Sequence, residues 1–317
     1  MRNTNVETAP LIEFTHVDKA YQKQFAVHNL NLSIRAGEFF VLVGASGSGK
    51  TTTLKMINRL IEPTAGTITF AGRPLVDQSV NDLRHQIGYV LQDGALFPHL
   101  TVLENAAMTL NAIGVSTKDA KPQVASLLDE VGLDPARYLN RYPKELSGGE
   151  QQRVGIVRAL VANPQVILMD EPFSALDPVS RKQLQDLVLN LHEKRQTTIV
   201  FVTHDMDETL RLGTRIGVMH QGHLEQVDAP SVLLQKPKNS AVSKLFLQQH
   251  GHTVSDVIAH GYYETGNGDE IPRVTVEQTL ADLAQALLDA PNAAVLVNQN
   301  QVITQALYLE YMANQQE

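Results

Sequence analysis

The sequence predicts an α/β protein with a phosphate-binding loop, an inserted helical segment and a small α+β domain at its C-terminal end. Three observations carry the core of this prediction. Gly44-Ala45-Ser46-Gly47-Ser48-Gly49-Lys50-Thr51 fits the pattern Gly-x4-Gly-Lys-[Ser/Thr] and follows the apolar run Phe39–Val43. A second apolar run, from Val166, ends in the carboxylates Asp170 and Glu171. A third, Thr198 to Thr203, ends at His204. Short apolar runs of this kind read as buried strands, and the side chains that end them are placed for chemistry.

Each element has its own reason. After the strand at Phe39–Val43, the glycines let successive backbone N–H groups turn inward toward phosphate oxygens. The sequence predicts a helix from Thr52 to Leu60, whose N-terminus adds partial positive charge at the same place. Lys50 has the length to reach β- and γ-phosphates, and the Thr51 hydroxyl is a hard oxygen ligand suited to Mg²⁺. At the end of the second strand, Asp170 suits Mg²⁺ held through water. Glu171 is placed to orient and deprotonate an attacking water. Leu146-Ser147-Gly148-Gly149-Glu150 precedes a helical pattern from Val154 to Val161. Ser147 is a good N-cap and the two glycines expose backbone N–H groups, which makes a second anion site. Two anion sites per chain are explained if two chains meet head to tail, each covering the other's phosphate loop with Ser147 and Gly149.

Composition sets the outer limits. The chain has 317 residues, 43% of them apolar, and no cysteine, so disulfides and cysteine-ligated zinc are excluded. Met1 to Pro10 is polar and carries no apolar signal segment, and no apolar run approaches the ~18 residues that cross a bilayer. The net charge of −8 sits entirely in residues 245–317, which hold nine carboxylates and one base, Arg273. An acidic tail on a balanced body argues against nucleic-acid binding, which needs basic surface. The division falls near Gln248–Thr253.

The chain resembles the nucleotide-binding subunit of an ABC transporter over roughly residues 11–245, with phosphate loop, Leu-Ser-Gly-Gly signature and acidic strand in the family's order. The resemblance implies a P-loop ABC-type ATPase core over 1–245, with a helical subdomain at about 93–162. It implies ATP and Mg²⁺ as ligands. Gly44, Ser46, Gly47, Gly49, Lys50, Thr51 and Thr52 would hold the nucleotide, and Thr51, Gln92 and Asp170 the metal. Tyr21, just after the first strand, matches the aromatic that stacks on adenine. Gln92 matches the glutamine that senses Mg²⁺ and the attacking water. Ser174-Ala175-Leu176-Asp177 matches the loop that crosses the dimer interface. His204 matches the histidine that contacts the γ-phosphate and fixes Glu171. Glu150 stands where the family usually has Gln, a variation other members share. With Glu171 and His204 both present, the resemblance implies an active ATP hydrolase. It would work as a homodimer on the cytoplasmic face of the membrane, beneath separate permease chains and in a system with a substrate-binding protein it does not touch. Repair and ribosomal ATPases of this family carry long coiled coils or two ATPase units, and the chain has neither.

Two further resemblances narrow the reading. The apolar edge Ala95-Leu96-Phe97-Pro98-His99-Leu100 lies where the family receives a short helix of the permease, and suits helix-in-groove docking. Lys55 to Thr64, together with Leu96 to His99, resembles importers of quaternary amines such as glycine betaine, carnitine and choline. An amino-acid importer of the methionine type is the alternative. In the tail, residues 250–317 read as β-α-β-β-α. A strand-like Arg273–Val276 precedes a helix carrying Leu280, Leu283, Ala284, Leu287 and Leu288 on one face. A polar stretch, Gly261 to Glu270, comes before them. This order resembles a single CBS regulatory module, which osmoprotectant importers often carry as a pair. Gln301 and Leu307 stand near the places of the module's usual glycine and ribose-binding aspartate, which speaks against nucleotide sensing by the tail. About 65 residues make a marginal core, so a lone module is expected to pair with its twin in the dimer.

Overall fold

The computed structural model describes residues 9–22, 24–91, 95–249, 254–266, 272–276, 278, 280–290, 294–297 and 301–314. The chain opens with strands β1 (Ile12–Tyr21), β2 (Gln24–Ile34) and β3 (Phe39–Val43). Helix α1 (Lys50–Ile57), strands β4 (Ala65–Phe70) and β5 (Arg73–Pro74), helix α2 (Val80–His85) and strand β6 (Ile87–Val90) follow. The helical stretch holds α3 (Val102–Ala112), α4 (Thr117–Glu130), α5 (Pro135–Tyr138) and α6 (Gly148–Leu160). Then come β7 (Val166–Asp170), α7 (Pro178–Arg195), β8 (Thr198–Thr203), α8 (Met206–Leu212), β9 (Arg215–His220), β10 (His223–Asp228) and α9 (Pro230–Gln235). Helix α10 (Ser240–Gln249) spans the division between two compact units, Met1–Val242 and Ser243–Glu317.

In the first unit a six-stranded sheet runs in the order β10-β9-β3-β8-β7-β6. β9, β3, β8, β7 and β6 are parallel, and β10 closes one edge antiparallel. All five residues of β3 and all six of β8 are buried, as strands covered on both faces must be. β1, β2, β4 and β5 form a separate sheet in the order β2-β1-β4-β5, paired antiparallel. Its inward side chains Ile12, Phe14, Leu30, Ile34 and Phe70 share one core with Phe40, Leu42, Leu54, Val200 and Val202 of the larger sheet and α1.

Polar side chains cap the helices of this stretch. Thr101 and Glu104 form a capping box at the start of α3. Ser116 accepts from the Asp119 N–H at α4, and Asp134 from the Ala136 N–H at α5. Helix α1 is shorter than the sequence suggests. It begins at Lys50, and it ends at Ile57 because Asn58 leaves helical angles and Arg59 adopts φ +46°. Leu60 therefore lies outside it, half exposed.

The second unit holds α11 (Val254–Ala259), β11 (Glu264–Thr265), β12 (Arg273–Val274), α12 (Leu280–Asp289), β13 (Ala294–Val297), β14 (Gln301–Thr304) and α13 (Gln305–Asn314). Its sheet runs β11-β14-β13-β12. The core is Val254, Val257, Leu280, Leu283, Leu287, Val295, Val297, Ile303 and a fully buried Tyr311. The Thr304 hydroxyl accepts from the Leu307 N–H at the head of α13. Within the polar stretch before Arg273 the structure adds β11, which the sequence reading leaves out. Two backbone pairings with Val302 and Gln301 make it, and no apolar side chain announces it. Among the described residues, no helix is long and apolar enough to cross a membrane.

Candidate nucleotide site

Three neighbouring strands bring the predicted residues together. β3, β8 and β7 lie side by side, with Val43 paired to Thr203 and Val202 paired to Asp170. Adjacent strands are about 4.8 Å apart. The phosphate loop, His204 and the Asp170–Glu171 pair therefore leave the same edge of the sheet within two strand spacings. β6, next to β7, ends at Val90. Gln92 follows it but lies outside the described residues.

The loop Gly44–Lys50 is tied down from below and open above. A Cβ on Gly44 would stand 2.1 Å from the carbonyl oxygen of Met219, so the loop floor presses on β9 and admits only glycine. Gly47, at φ +77°, has nothing within 4 Å of where its Cβ would be. The Lys50 ammonium donates to the carbonyls of Gly44 and Ala45 at 2.7 and 3.0 Å, which folds the loop around it. Burial pushes the Lys50 amine down, while the nearby carboxylates of Glu171 and Asp170 favour its charge. The Ser48 hydroxyl is buried without a hydrogen-bond partner. A cradle with an open rim, an inturned cation and an unused hydroxyl suits an anionic group.

The metal side is equally specific. The Thr51 hydroxyl donates to Asp170 Oδ1 at 2.9 Å, so two hard oxygen ligands already face each other. No group of three or more His, Cys, Asp or Glu residues that could hold a metal occurs among the described residues. This donor set suits Mg²⁺, which takes few protein carboxylates and completes its shell from phosphate and water. Tyr89, on β6, sits beside Asp170; burial first, and then that carboxylate, push its phenol strongly up, so it stays protonated.

Glu171 stands at φ +46°, an unusual backbone for a glutamate. Its N–H donates to the Val202 carbonyl at 2.9 Å, and its own carbonyl accepts from the Ser174 hydroxyl at 3.0 Å. This pinned turn aims the carboxylate at β8, where Nδ1 of His204 lies 2.9 Å from Glu171 Oε2. His204 is more than half exposed.

The stretch read from the sequence as a second anion site is the start of α6. Ser147 caps α6, accepting from the Glu150 N–H, while its own N–H donates to Glu150 Oε2 at 2.7 Å. The Tyr138 hydroxyl donates to the other Glu150 oxygen at 2.5 Å. The glutamate at this position is thus used twice. Asp177 caps α7 through the N–H groups of Val179 and Ser180, leaving Ser174, Ala175 and Val179 exposed. Tyr21 is the last residue of β1 rather than the residue after it. Its ring is half exposed, with the Lys19 ammonium 5.0 Å from the ring centre. Thr52 lies in the first turn of α1 and Ser46 on the exposed rim of the loop. Phe97 is exposed, and the Asn105 amide fixes the loop that carries it, bonding Phe97 N–H and the carbonyls of Phe97, Leu100 and Thr101. The Arg158 guanidinium, from α6, donates to the Ala95 carbonyl.

A phosphate loop, a strand-end Asp–Glu pair and a strand-end histidine on adjoining parallel strands define a P-loop ATPase cassette. Comparison with known proteins gives its kind. The ABC transporter family model matches residues 27–174. The choline transport ATP-binding protein OpuBA of Bacillus subtilis is 39% identical over 92% of this chain and 77% of its own length. The glycine betaine uptake system ATP-binding protein YehX of Escherichia coli is 46% identical over 74% of this chain and 76% of its own. The osmoprotectant import ATP-binding protein OsmV of Salmonella typhimurium is 47% identical over 71% of this chain, which spans 59% of the relative's length. Among solved structures, the dimeric post-hydrolysis ATP-binding cassette MJ0796 with ADP and Pi superposes with a TM-score of 0.62. It is 34% identical, over 69% of this chain and 98% of that one. The chain belongs to the ABC transporter family of ATP-binding proteins.

Sequence reasoning missed Asn105 and Ser48. Asn105 carried a signal, a polar residue among the buried positions Val102 and Ala106 of α3.

Proposed function

We propose that this chain is the ATP-hydrolysing subunit that energises import of a quaternary amine osmoprotectant, such as glycine betaine, carnitine or choline, through separate membrane permease chains. The observation that carries the ATPase reading is the 2.9 Å contact between Glu171 and His204, set beside the Lys50 loop and the Thr51–Asp170 pair. The names of the relatives carry the cargo class.

In this reading the loop amides and Lys50 bind the phosphates, and Tyr21 stacks on adenine. Thr51 and Asp170, with Gln92, would hold Mg²⁺, which offsets phosphate charge when bound. Glu171 takes the proton of the attacking water, and His204 holds Glu171 in line. Two copies pair with two-fold symmetry, and Ser147 and Gly149 of each complete the partner's site. ATP closes the pair and hydrolysis opens it. The exposed edge around Phe97 receives a permease helix, so closure moves the permease. The place of work is the cytoplasmic face of the membrane, in a system whose substrate-binding protein this chain does not touch. Residues 250–317 act as a regulatory module of the CBS kind and pair with their twin.

The test is uptake. A strain lacking its own osmoprotectant importers, given this chain with its permease and binding protein, should accumulate labelled glycine betaine, choline or carnitine. Uptake of labelled methionine instead would reassign the cargo. Absence of ATP hydrolysis by the purified protein would remove the ATPase reading itself.

A further inference from the structure

The chain neighbours of His204 on both sides are bonded to the start of α8. On one side, the Thr203 hydroxyl donates to Glu208 Oε2 at 2.7 Å and accepts from the Asp205 N–H at 3.0 Å. On the other, Asp205 caps α8, accepting from the N–H groups of Asp207 and Glu208. Glu208 is almost fully buried. Burial pushes its carboxyl up, against the Thr203 bond and the Arg181 charge.

The cation facing this turn comes from another element. Arg181, on α7, places a terminal nitrogen 3.8 Å from Asp205 Oδ2 and its Nε 4.0 Å from Glu208 Oε1. Both distances exceed hydrogen-bond reach. That Nε is buried and has no hydrogen-bond partner. The other terminal nitrogen of Arg181 donates to the Leu176 carbonyl at 3.2 Å. Leu176 belongs to the exposed Ser174–Asp177 loop. The same loop and the start of α7 lie under the signature glycines. A Cβ on Gly148 would meet Leu176, and one on Gly149 would meet Ser180, each at 3.7 Å.

We infer that Arg181 is a positioning residue for hydrolysis, which holds the His204 turn in register with the Ser174–Asp177 loop. The guanidinium fork is bonded to the loop at one end and stops short of Asp205 and Glu208 at the other. A shift of about 1 Å in the loop closes both remaining contacts to hydrogen-bond length. Whatever moves Leu176, including a partner chain pressed on Gly148 and Gly149, is then carried to the turn that sets His204 against Glu171. Arginine suits this because its planar fork spans three acceptors at once, which a lysine ammonium does not. The inference rests on the ATPase reading above and adds a residue to it.

The test uses the full chain and the variants R181A, R181K, H204A and R181A/H204A, with ATP affinity and single-turnover hydrolysis measured for each. A misplacement near 1 Å costs about 100-fold in rate, so R181A should lose about 10- to 100-fold in turnover with ATP affinity held. R181K should recover only part of that loss. Residues acting as a unit are not additive, so adding R181A to H204A should cost less than about threefold more. Turnover of R181A within about threefold of the parent overturns the inference, as does a double-variant loss equal to the product of the singles. If R181A does not fold, R181Q, which keeps part of the stem but loses the charge and the guanidinium fork, carries the same comparison. Failure of the parent itself to hydrolyse ATP would sink the ATPase reading, whereas an active R181A beside an inactive H204A would sink the inference alone.

Discussion

Glu171 Oε2 and His204 Nδ1 meet at 2.9 Å although they leave different strands, because β7 and β8 are neighbours and Glu171 turns back at φ +46°. The strained backbone is over-determined by its bonds to Val202 and Ser174. An amide in place of the carboxylate keeps the shape of the side chain but cannot take a proton from water. We predict that Glu171→Gln lowers hydrolysis about 10²- to 10⁴-fold while ATP binding and ATP-driven dimerisation persist. Steady-state phosphate release and sedimentation with ATP and Mg²⁺ measure both. Near-parental turnover would remove Glu171 as the base.

Glu150 gives a prediction about stability and pH. Burial opposes its charge, but the bonds from Tyr138 and from Ser147 outweigh burial and hold its carboxyl below the ordinary value of 4.5. A depressed acid stabilises the fold above its unfolded pKa and loses that contribution as pH falls through the folded value. Glu150→Ala should therefore cost about 0.5–1.5 kcal/mol at neutral pH. The difference should shrink below pH 4.5. Urea unfolding of parent and variant at neutral and acid pH checks it. A gap that grows on acidification would contradict the assignment.

Asn105 is fully buried and serves four backbone groups between Phe97 and Thr101. Asn105→Leu keeps the volume and abandons those groups, at a cost of about 1–3 kcal/mol. We expect the exposed edge around Phe97 to loosen with it. The variant should hydrolyse ATP on its own but lose capture of its permease, as should Phe97→Asp. Undiminished permease capture by both variants would take the docking role away from this edge.

Much of this was legible because buried parallel strands are written as unbroken apolar runs. Phe39–Val43 and Thr198–Thr203 need no tertiary knowledge, and residues just beyond such runs fall at one sheet edge. The contact of His204 with Glu171 follows from that. Elements held by backbone alone were not legible: β11 has two residues and no apolar signature, and α1 stops at Ile57 for the left-handed turn at Arg59. Arg181 was hidden for a different reason. Its partners Leu176, Asp205 and Glu208 come from a loop and a helix start that only the folded chain brings to one guanidinium.

Charge in the tail yields the last prediction. Residues 245–317 carry the whole net charge of −8, and Glu264 and Glu310 are exposed. In a homodimer two such tails repel. Screening shortens the reach of that repulsion from about 10 Å at 0.1 M salt to about 3 Å at 1 M. If tail association permits closure, activity in reconstituted membranes should rise above a threshold of internal salt. Glu264→Gln with Glu310→Gln should lower the threshold by removing charge from both copies. Removal of residues 250–317 should abolish it, leaving activity flat with salt. The first unit has its own core, so the truncated chain is expected to keep ATP hydrolysis. A threshold at the same salt in the parent, the double variant and the truncated chain would place the salt response elsewhere in the system.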